Sequence, residues 1–291
     1  MRLSHNRAVA LMVLVALMWS TAGVVTRHLE SARSFEITFW RALFTALSLL
    51  VILPFFQGRS VFRKIAQGGR AFWISGVCWS VMFTAFMVAL TLTSVANVLV
   101  TMSIGPLLTA LVARIFIGHR VALRTWIAIV VAGSGIVYMY AAQLDQASIL
   151  GTLVTLCVPL AGAVNWTLIQ SLRGRASAPD MLPAVLIGAV LSAAISLPLA
   201  WPLQASAHDI GWLALLGTVQ LAIPCLLSVT IARTLPAPEL SLLSLLEVLF
   251  GVAWAWLGAG EAPSGAVLAG GALVLLALAG NEALAVRSRR L

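Results

Sequence analysis

Glu247 is the residue whose chemical type and position most strongly predict a function. It lies in the middle of a long apolar stretch, residues 236–261. An ionised acid at the centre of a membrane helix costs about 2.5–3.5 kcal/mol on insertion scales, so such residues are usually retained for a partner or a ligand. Glu247 is therefore predicted to bind an ammonium group or a proton. A structural hydrogen bond to another helix is the alternative.

Amide and hydroxyl side chains lie at similar depth in other apolar stretches. Asn97 and Thr101 are one turn apart on one predicted helix, and Asn165 and Gln220 lie on two others. These groups are candidates for holding the polar end of a small-molecule substrate. Buried amides also join neighbouring helices by hydrogen bonds, and this structural role is the alternative.

Aromatic side chains form the third group of candidates. Trp79, Phe83 and Phe86 share one face of a predicted helix, at positions i, i+4 and i+7. Trp19 and Trp166 lie inside apolar stretches, whereas the tryptophans of an interface belt lie at the ends of spans. We interpret these rings as candidates for lining a substrate cavity. Helix-spaced apolar stripes also form protein cores or contact lipid, and that alternative stays open.

Gly105 and Pro106 predict a break in a membrane helix. Because proline has no backbone N–H, the carbonyl oxygen of Met102 loses its helical partner. Broken helices near the membrane midplane often line substrate cavities, which makes the pair a candidate helix break and gating element. A packing kink is equally compatible with the sequence, because membrane helices tolerate proline.

Arg41 is a cation placed well inside an apolar stretch. We favour a structural role for it, either in a pair with an acid such as Glu36 or with its head group extended toward the membrane surface. A sugar nucleotide would need several cations facing a cavity, and the sequence offers this one.

The sequence lacks the motifs of the common catalytic and metal sites. It contains no H-E-x-x-H, paired-cysteine, G-x-S-x-G or phosphate-binding glycine motif. The three cysteines are an odd number, and none has a close cysteine or histidine neighbour. We therefore expect no metal, no cofactor and no enzymatic activity. Nothing indicates an ATPase, so transport would be driven by a gradient.

Composition indicates that lipid surrounds the elements that carry these residues. The 291 residues are 61% hydrophobic and 9% charged, whereas soluble domains have about 25% charged residues. A helix that spans a membrane needs about 20 apolar residues. Ten stretches are predicted to span: 8–27, 35–54, 71–92, 94–117, 123–142, 149–171, 181–201, 210–232, 237–258 and 265–286.

Positive charge predicts the orientation of the chain. A net charge of +9 would suggest nucleic acid as the partner of a soluble protein. Here, however, 15 of the 18 Lys and Arg residues fall on the side of the N-terminus, two fall on the opposite side, and Arg41 lies within the second span. This bias predicts a multi-pass protein of the inner (plasma) membrane with cytoplasmic N- and C-termini, and no nucleic-acid partner.

Two sections of the sequence align with each other. Residues 94–119 correspond to residues 236–261 at an offset of 142 positions. Each half then contains five spans, and the odd number inverts the second half relative to the first. The predicted fold is an all-α integral membrane protein whose ten transmembrane helices form two inverted five-helix repeats, residues 1–146 and 147–291, around a central cavity.

Three short motifs of the sequence carry a resemblance to a known family. They are Met18-Trp19-Ser20-Thr21-Ala22-Gly23, Gly105-Pro106-Leu107-Leu108 followed by Gly118, and Leu246-Glu247-Val248 followed by Gly258-Ala259-Gly260-Glu261. With these motifs the chain resembles the drug/metabolite transporter superfamily, specifically its EamA-type exporters, and the resemblance covers nearly the whole sequence. Two positions depart from the family pattern: His119 stands where Glu is usual, and Val248 where Pro is usual.

The resemblance implies ten helices around a central cavity that is lined by the first, third, fourth, sixth, eighth and ninth. The sequence looks most like YddG-type exporters of aromatic amino acids, through the residues that follow Trp19 and its aromatic-rich spans. We therefore expect a secondary transporter that exports aromatic or hydrophobic amino acids, threonine, or related amphipathic metabolites by alternating access.

Other functions remain open from the sequence. Efflux of drugs or quaternary ammonium compounds and exchange of nucleotide sugars are the alternatives among transporters. A membrane enzyme or a receptor subunit is the alternative from another class. We expect a small-molecule substrate and membrane lipid as partners, and a monomer or a weak homodimer.

Overall fold

Lipid around the chain dictates helices, because a backbone in hydrocarbon must satisfy its hydrogen bonds internally. A computed structural model describes residues 3–26, 28–32, 34–141, 148–175, 178–259 and 264–290. Within these ranges the regular structure is helical, without a strand. The α-helices are α1 His5–Ser20, α2 Ala22–Thr26, α3 Ser34–Gln57, α4 Ser60–Ala66, α5 Arg70–Leu92, α6 Val95–Met102, α7 Gly105–Ile117, α8 Leu123–Tyr140, α9 Ile149–Ser171, α10 Leu182–Ala200, α11 Ala207–Leu215, α12 Ile223–Ala232, α13 Ala237–Ser244, α14 Leu246–Ala259 and α15 Gly265–Arg290.

Nine segments in the described part of the chain are long and apolar enough to cross a membrane. They coincide with the second to tenth predicted spans, so the predicted all-α membrane fold is confirmed. The first predicted span is divided: α1 ends at Ser20, and α2 begins at Ala22. Between them the side chain of Thr21 donates a hydrogen bond to the carbonyl oxygen of Met18 at 2.7 Å.

Some residues used in the sequence analysis lie outside the described ranges. Arg2, Arg27 and Arg33 belong to the charge count, and Gly260 and Glu261 end the third motif. The inversion of the two repeats stays a prediction.

Two spans are interrupted at corresponding places. The fourth span stops at Met102 and resumes as α7 at Gly105, where Pro106 occupies the first turn. The ninth span stops at Ser244 and resumes as α14 at Leu246. The two breaks are related by the same offset of 142 positions. Only the first break has a sequence signal, because the second repeat lacks the proline.

The eighth span is also irregular, although the sequence predicts a continuous helix. Between α11 and α12 the backbone forms a π-helical segment, Leu216–Ala222. The N–H of Ile223 bonds there to the carbonyl oxygen of Thr218, five residues earlier. Pro224 has no N–H to offer the carbonyl of Gln220, which removes the α-helical alternative at that turn. Such π-helical turns inside α-helices are frequent at functional sites.

Close helix crossings hold the bundle together. Helices α8 and α15 pack along their lengths and approach closely where Gly135 meets Gly270. A Cβ atom placed on Gly135 would lie 2.8 Å from the carbonyl oxygen of Gly270. Such close approach of two helix backbones requires small residues on both helices. Gly133, two positions away, has open space around it.

This contact predicts a stability difference between two neighbouring substitutions. Gly135→Ala forces a methyl group against backbone and should cost about 1–3 kcal/mol of stability, the usual range for an overpacked site. Gly133→Ala is the matched control and should leave stability unchanged. Thermal unfolding of the detergent-purified variants measures both. Equal melting temperatures for the two variants would contradict the crossing geometry.

Candidate functional site

A cavity lies where the interrupted spans meet the long helices. Its volume, counted as space open to the centre of a water molecule, is about 150 Å³. By the same measure a single water needs about 10–15 Å³, so the cavity is large enough for a small organic molecule. Residues from the first, third, fourth, sixth, eighth and ninth spans line it, as the resemblance implied, together with one residue from the second span.

Aromatic rings form one part of the cavity wall. The indoles of Trp79 and Trp166 meet edge to face, with ring centroids 5.4 Å apart. Phe83 lies 5.5 Å from Trp79 on the same helix, and Trp19 and Phe86 also line the cavity. Offset and edge-to-face contacts of this kind stabilise aromatic clusters and leave ring faces for a ligand. These rings can cover an apolar side chain of a bound molecule.

The position of Trp79 depends on a close contact between α5 and α10. A Cβ atom placed on Gly188 of α10 would overlap the Cβ atom of Trp79 and would lie 3.0 Å from the backbone nitrogen of Ser80. Only a residue without a side chain lets α10 approach at this level. The glycine therefore fixes the depth at which the Trp79 indole enters the cavity.

Polar groups form the other part of the wall. Glu247, in the first turn of α14, lines the cavity with Ser241 and Ser244 from the end of α13. Gln220 lies in the π-helical segment, and its side-chain nitrogen donates to the backbone carbonyl of Trp19 at 2.9 Å. Its side-chain oxygen is buried without a hydrogen-bond partner. Gln220 of the eighth span, which lines the same cavity as Glu247, thus carries an unused acceptor.

Arg41 also lines the cavity, on α3. Its side chain is 7% exposed, and its Nη1 donates to the sulfur of Met87 at 3.0 Å. The Nε atom is buried without a partner. The suggested pairing with Glu36 does not form: the Oε1 of Glu36 instead accepts from the backbone nitrogens of Gln204 and Ala205, at 2.8 Å and 2.7 Å. Sequence reasoning had favoured a structural role for this arginine.

The π-helical segment brings Arg41 and Gln220 to the same space. A Cβ atom on Gly217 would lie 2.6 Å from the carbonyl oxygen of Arg41, so α3 and the segment touch at backbone level. The hydroxyl of Thr45 bonds the carbonyls of both Arg41 and Gly217, at 2.7 Å and 2.9 Å. Ser48 and Thr218 add a contact between hydroxyl groups at 2.8 Å.

Eight of the eleven site residues predicted from sequence line the cavity. They are Trp19, Trp79, Phe83, Gly105, Pro106, Trp166, Gln220 and Glu247. Whether they bind substrate stays a prediction at this point.

Asn97, Thr101 and Asn165 do not line the cavity. The side-chain nitrogen of Asn97 donates to Thr93 at 3.0 Å and to Thr152 at 2.8 Å, which joins α6 to α9. Asn165 accepts from Ser75 of α5 at 2.6 Å. Asn165 precedes Trp166 by one position, which turns its side chain about 100° around the helix relative to the indole that lines the cavity. These two amides adopt the interhelical role that was the alternative.

A second cluster of ionisable groups lies away from the cavity. The Nε2 of His5 is 3.2 Å from a carboxylate oxygen of Glu239 and 3.2 Å from one of Glu282. These three side chains from α1, α13 and α15 have the ligand types and spacing that suit a metal ion. Sequence reasoning missed them because they are far apart along the chain and form no motif.

Residues 6–141 match the EamA-like transporter family. The predicted resemblance is therefore confirmed for the first half of the chain, whereas the YddG-type assignment stays a prediction. Members of the matched family are transporters, so the match indicates a membrane transporter of the drug/metabolite type with a small-molecule substrate.

Other comparisons inform the fold alone. No curated protein sequence matches the chain. Among solved structures, the crystal structure of one protein covers 97% of this chain and 99% of its own, with a TM-score of 0.73 and 18% identity. The two chains share an architecture over nearly their full lengths. At this identity the likeness carries no conclusion about substrate.

The cavity predicts that water-soluble reagents reach it. In a background with Cys78, Cys157 and Cys225 replaced by alanine, a Ser244→Cys variant should react with a charged methanethiosulfonate. Ser134, an exposed residue of α8 outside the cavity, supplies the control, Ser134→Cys, whose thiol would face lipid. Mass spectrometry counts the labelled thiols. Labelling of the control alone, or of neither cysteine, would show that the cavity is closed to water.

Proposed function

We propose that this chain exports amino acids with aromatic or other large apolar side chains, and related amphipathic amines, by alternating access. The observation that carries the proposal is the carboxylate of Glu247 in a cavity walled by tryptophan and phenylalanine. An ammonium group would compensate the charge of Glu247, while the rings would cover the apolar part of the same molecule.

Glu247 lies within a membrane-spanning segment, and its partly buried side chain faces the cavity. In the described part of the chain, no Lys, Arg or His forms a salt bridge with it. A membrane-buried acid without such a partner is costly, and a bound ammonium group supplies the missing charge. The attraction acts inside a low-dielectric wall, where it is stronger than the same contact in water.

Alternating access requires two halves that move against each other around the site. We assign residues 1–146 and 147–291 as these halves. Two kinds of observation support the assignment. The breaks between α6 and α7 and between α13 and α14 correspond at the repeat offset. The packing of α3 on the π-helical segment also has a counterpart in the packing of α10 on α5, each with a glycine at the crossing.

The direction of transport rests on the proposed orientation. The excess of Lys and Arg in loops on the side of the N-terminus supports cytoplasmic termini in the inner membrane. Two charged residues of loops predicted to lie on that side, Arg233 and Asp180, form an ion pair in the structure. Substrate released on the opposite side would leave the cell.

Efflux of quaternary ammonium compounds is the second candidate function. A carboxylate flanked by tryptophan faces suits such cations, because a fixed positive charge is attracted to both. Exchange of nucleotide sugars is disfavoured, because Arg41 is the one cation among the residues that line the cavity.

The proposal predicts how charge removal affects transport. In proteoliposomes that contain labelled phenylalanine, tryptophan or threonine, Glu247→Gln should lower efflux at least about tenfold, since loss of one partner of a buried charge pair costs about 2–5 kcal/mol. Glu30→Gln, which changes an exposed acid in the same way, should transport like wild type. Unchanged efflux by Glu247→Gln would remove the proposed site.

The aromatic wall predicts a separate effect on apparent affinity. Trp166→Ala should raise the KM for phenylalanine about tenfold, because an aromatic contact worth about 1.5 kcal/mol is lost. Trp256→Ala is the matched control, since Trp256 is 51% exposed and lies outside the cavity. Initial rates over a concentration series measure KM for both. A KM unchanged by Trp166→Ala, or raised equally by both variants, would contradict a cavity-bound ring.

A further inference from the structure

The cavity contains a positive pole as well as a negative one. Arg41 and Glu247 both line it. No salt bridge joins these two described residues. Opposite charges that share a buried space normally pair, because separate burial of each is costly. Their separation leaves room for a ligand that touches both.

The hydrogen bond that Arg41 does make is a weak one. Its partner is the thioether sulfur of Met87, and a thioether is a poor acceptor. A purely structural arginine at this depth would be expected to bind carboxylate or carbonyl oxygens instead. The contact with the sulfur of Met87 positions the guanidinium group but leaves its Nε–H without a hydrogen-bond acceptor.

Three residues that line the cavity each carry a buried polar atom without a partner. Two are donors, the Nε of Arg41 and the Nε1 of Trp79, and one is an acceptor, the Oε1 of Gln220. The residues that carry them are 7%, 2% and 5% exposed, respectively, and all three line the cavity. Leaving a buried donor or acceptor unsatisfied costs about 1–3 kcal/mol each. Such groups in a native structure call for an explanation, and a missing ligand supplies one.

We propose that the site binds both charged groups of a zwitterionic amino acid. Arg41, assisted by the indole N–H of Trp79, holds the carboxylate. Glu247, assisted by the side-chain oxygen of Gln220, holds the ammonium group. This inference rests on the proposed function and narrows its substrate class, because it makes Arg41 a specificity-determining residue.

Charge balance favours a zwitterion over a simple cation. A zwitterion brings a partner for each pole and leaves the net charge of the site unchanged. A quaternary ammonium ion compensates Glu247 but leaves Arg41 without a counter-charge in a low-dielectric space. Removing either group of the ligand leaves a buried charge uncompensated, which is how sites of this kind discriminate.

The test measures ligand binding to the purified protein, so its result does not depend on whether the protein transports the ligand. Quenching of tryptophan fluorescence in the detergent-purified full chain gives a Kd for phenylalanine, for phenethylamine, which lacks the carboxylate, and for 3-phenylpropanoate, which lacks the ammonium group. Wild type should bind phenylalanine at least about thirtyfold more tightly than either analogue, the smallest loss expected for an unpaired buried charge. Equal binding of phenylalanine and phenethylamine would overturn the proposal.

Substitution of Arg41 tests whether this residue causes the tighter binding of the zwitterion. Arg41→Gln should reduce the ratio of the phenethylamine Kd to the phenylalanine Kd to near one. Arg41→Lys, which keeps the charge but loses the Nε–H, should retain an intermediate ratio. Arg59→Gln, at an exposed arginine, is the control and should keep the wild-type ratio. A wild-type ratio in Arg41→Gln would overturn the assignment.

The outcomes distinguish this inference from the proposed function. If Arg41→Gln does not yield folded protein, the wild-type comparison and Arg41→Lys decide the question. If the protein prefers the zwitterion in binding but shows no flux in proteoliposomes, the transport function is wrong and the site assignment is retained. If phenylalanine is transported but phenethylamine binds equally well, the site assignment is wrong and the transport function is retained.

Discussion

A carboxylate and a guanidinium that share a membrane-buried cavity without pairing are the constraint on which the rest of this structure depends. Each of Glu247 and Arg41 would be expensive in lipid, and direct pairing would close the space between them. The fold must therefore hold both groups on backbone that cannot collapse. Glu247 lies on a helix that begins at Leu246, and Arg41 lies on α3, which is hydrogen-bonded to the π-helical segment through Thr45 and Ser48.

Close crossings and interrupted helices perform complementary tasks in this bundle. Glycines at the crossings bring the backbones of α5 and α10, and those of α3 and the π-helical segment, into close contact. Interruptions at the fourth and ninth spans open space in the interior and turn short helices toward it. Side chains from residues 1–146 and from residues 147–291 line the cavity, which is the arrangement that the proposed alternating access needs.

The sequence predicted features that depend on local pattern and failed where distant neighbours decide. Apolar length located nine spans, and the spacing of Trp79 and Phe83 placed both rings in the cavity. Asn165 was misleading because one position along a helix changes the facing direction by about 100°. The break at Leu245 has no proline to signal it. The position of Arg41 depends on contacts with Gly217 and Thr45. The contact between Arg41 and Gly217 joins residues 176 positions apart, and no periodic pattern in the sequence predicts it.

The central claim is that a single amino acid occupies the space between Glu247 and Arg41. Anomalous diffraction from crystals of the protein grown with 4-bromophenylalanine tests it most directly, because bromine marks the ring and the density marks the charged groups. The account predicts one bromine peak beside Trp79 and Trp166, with the ammonium group at Glu247 and the carboxylate at Arg41. A peak elsewhere, with Glu247 and Arg41 joined in a salt bridge across an empty cavity, would contradict it.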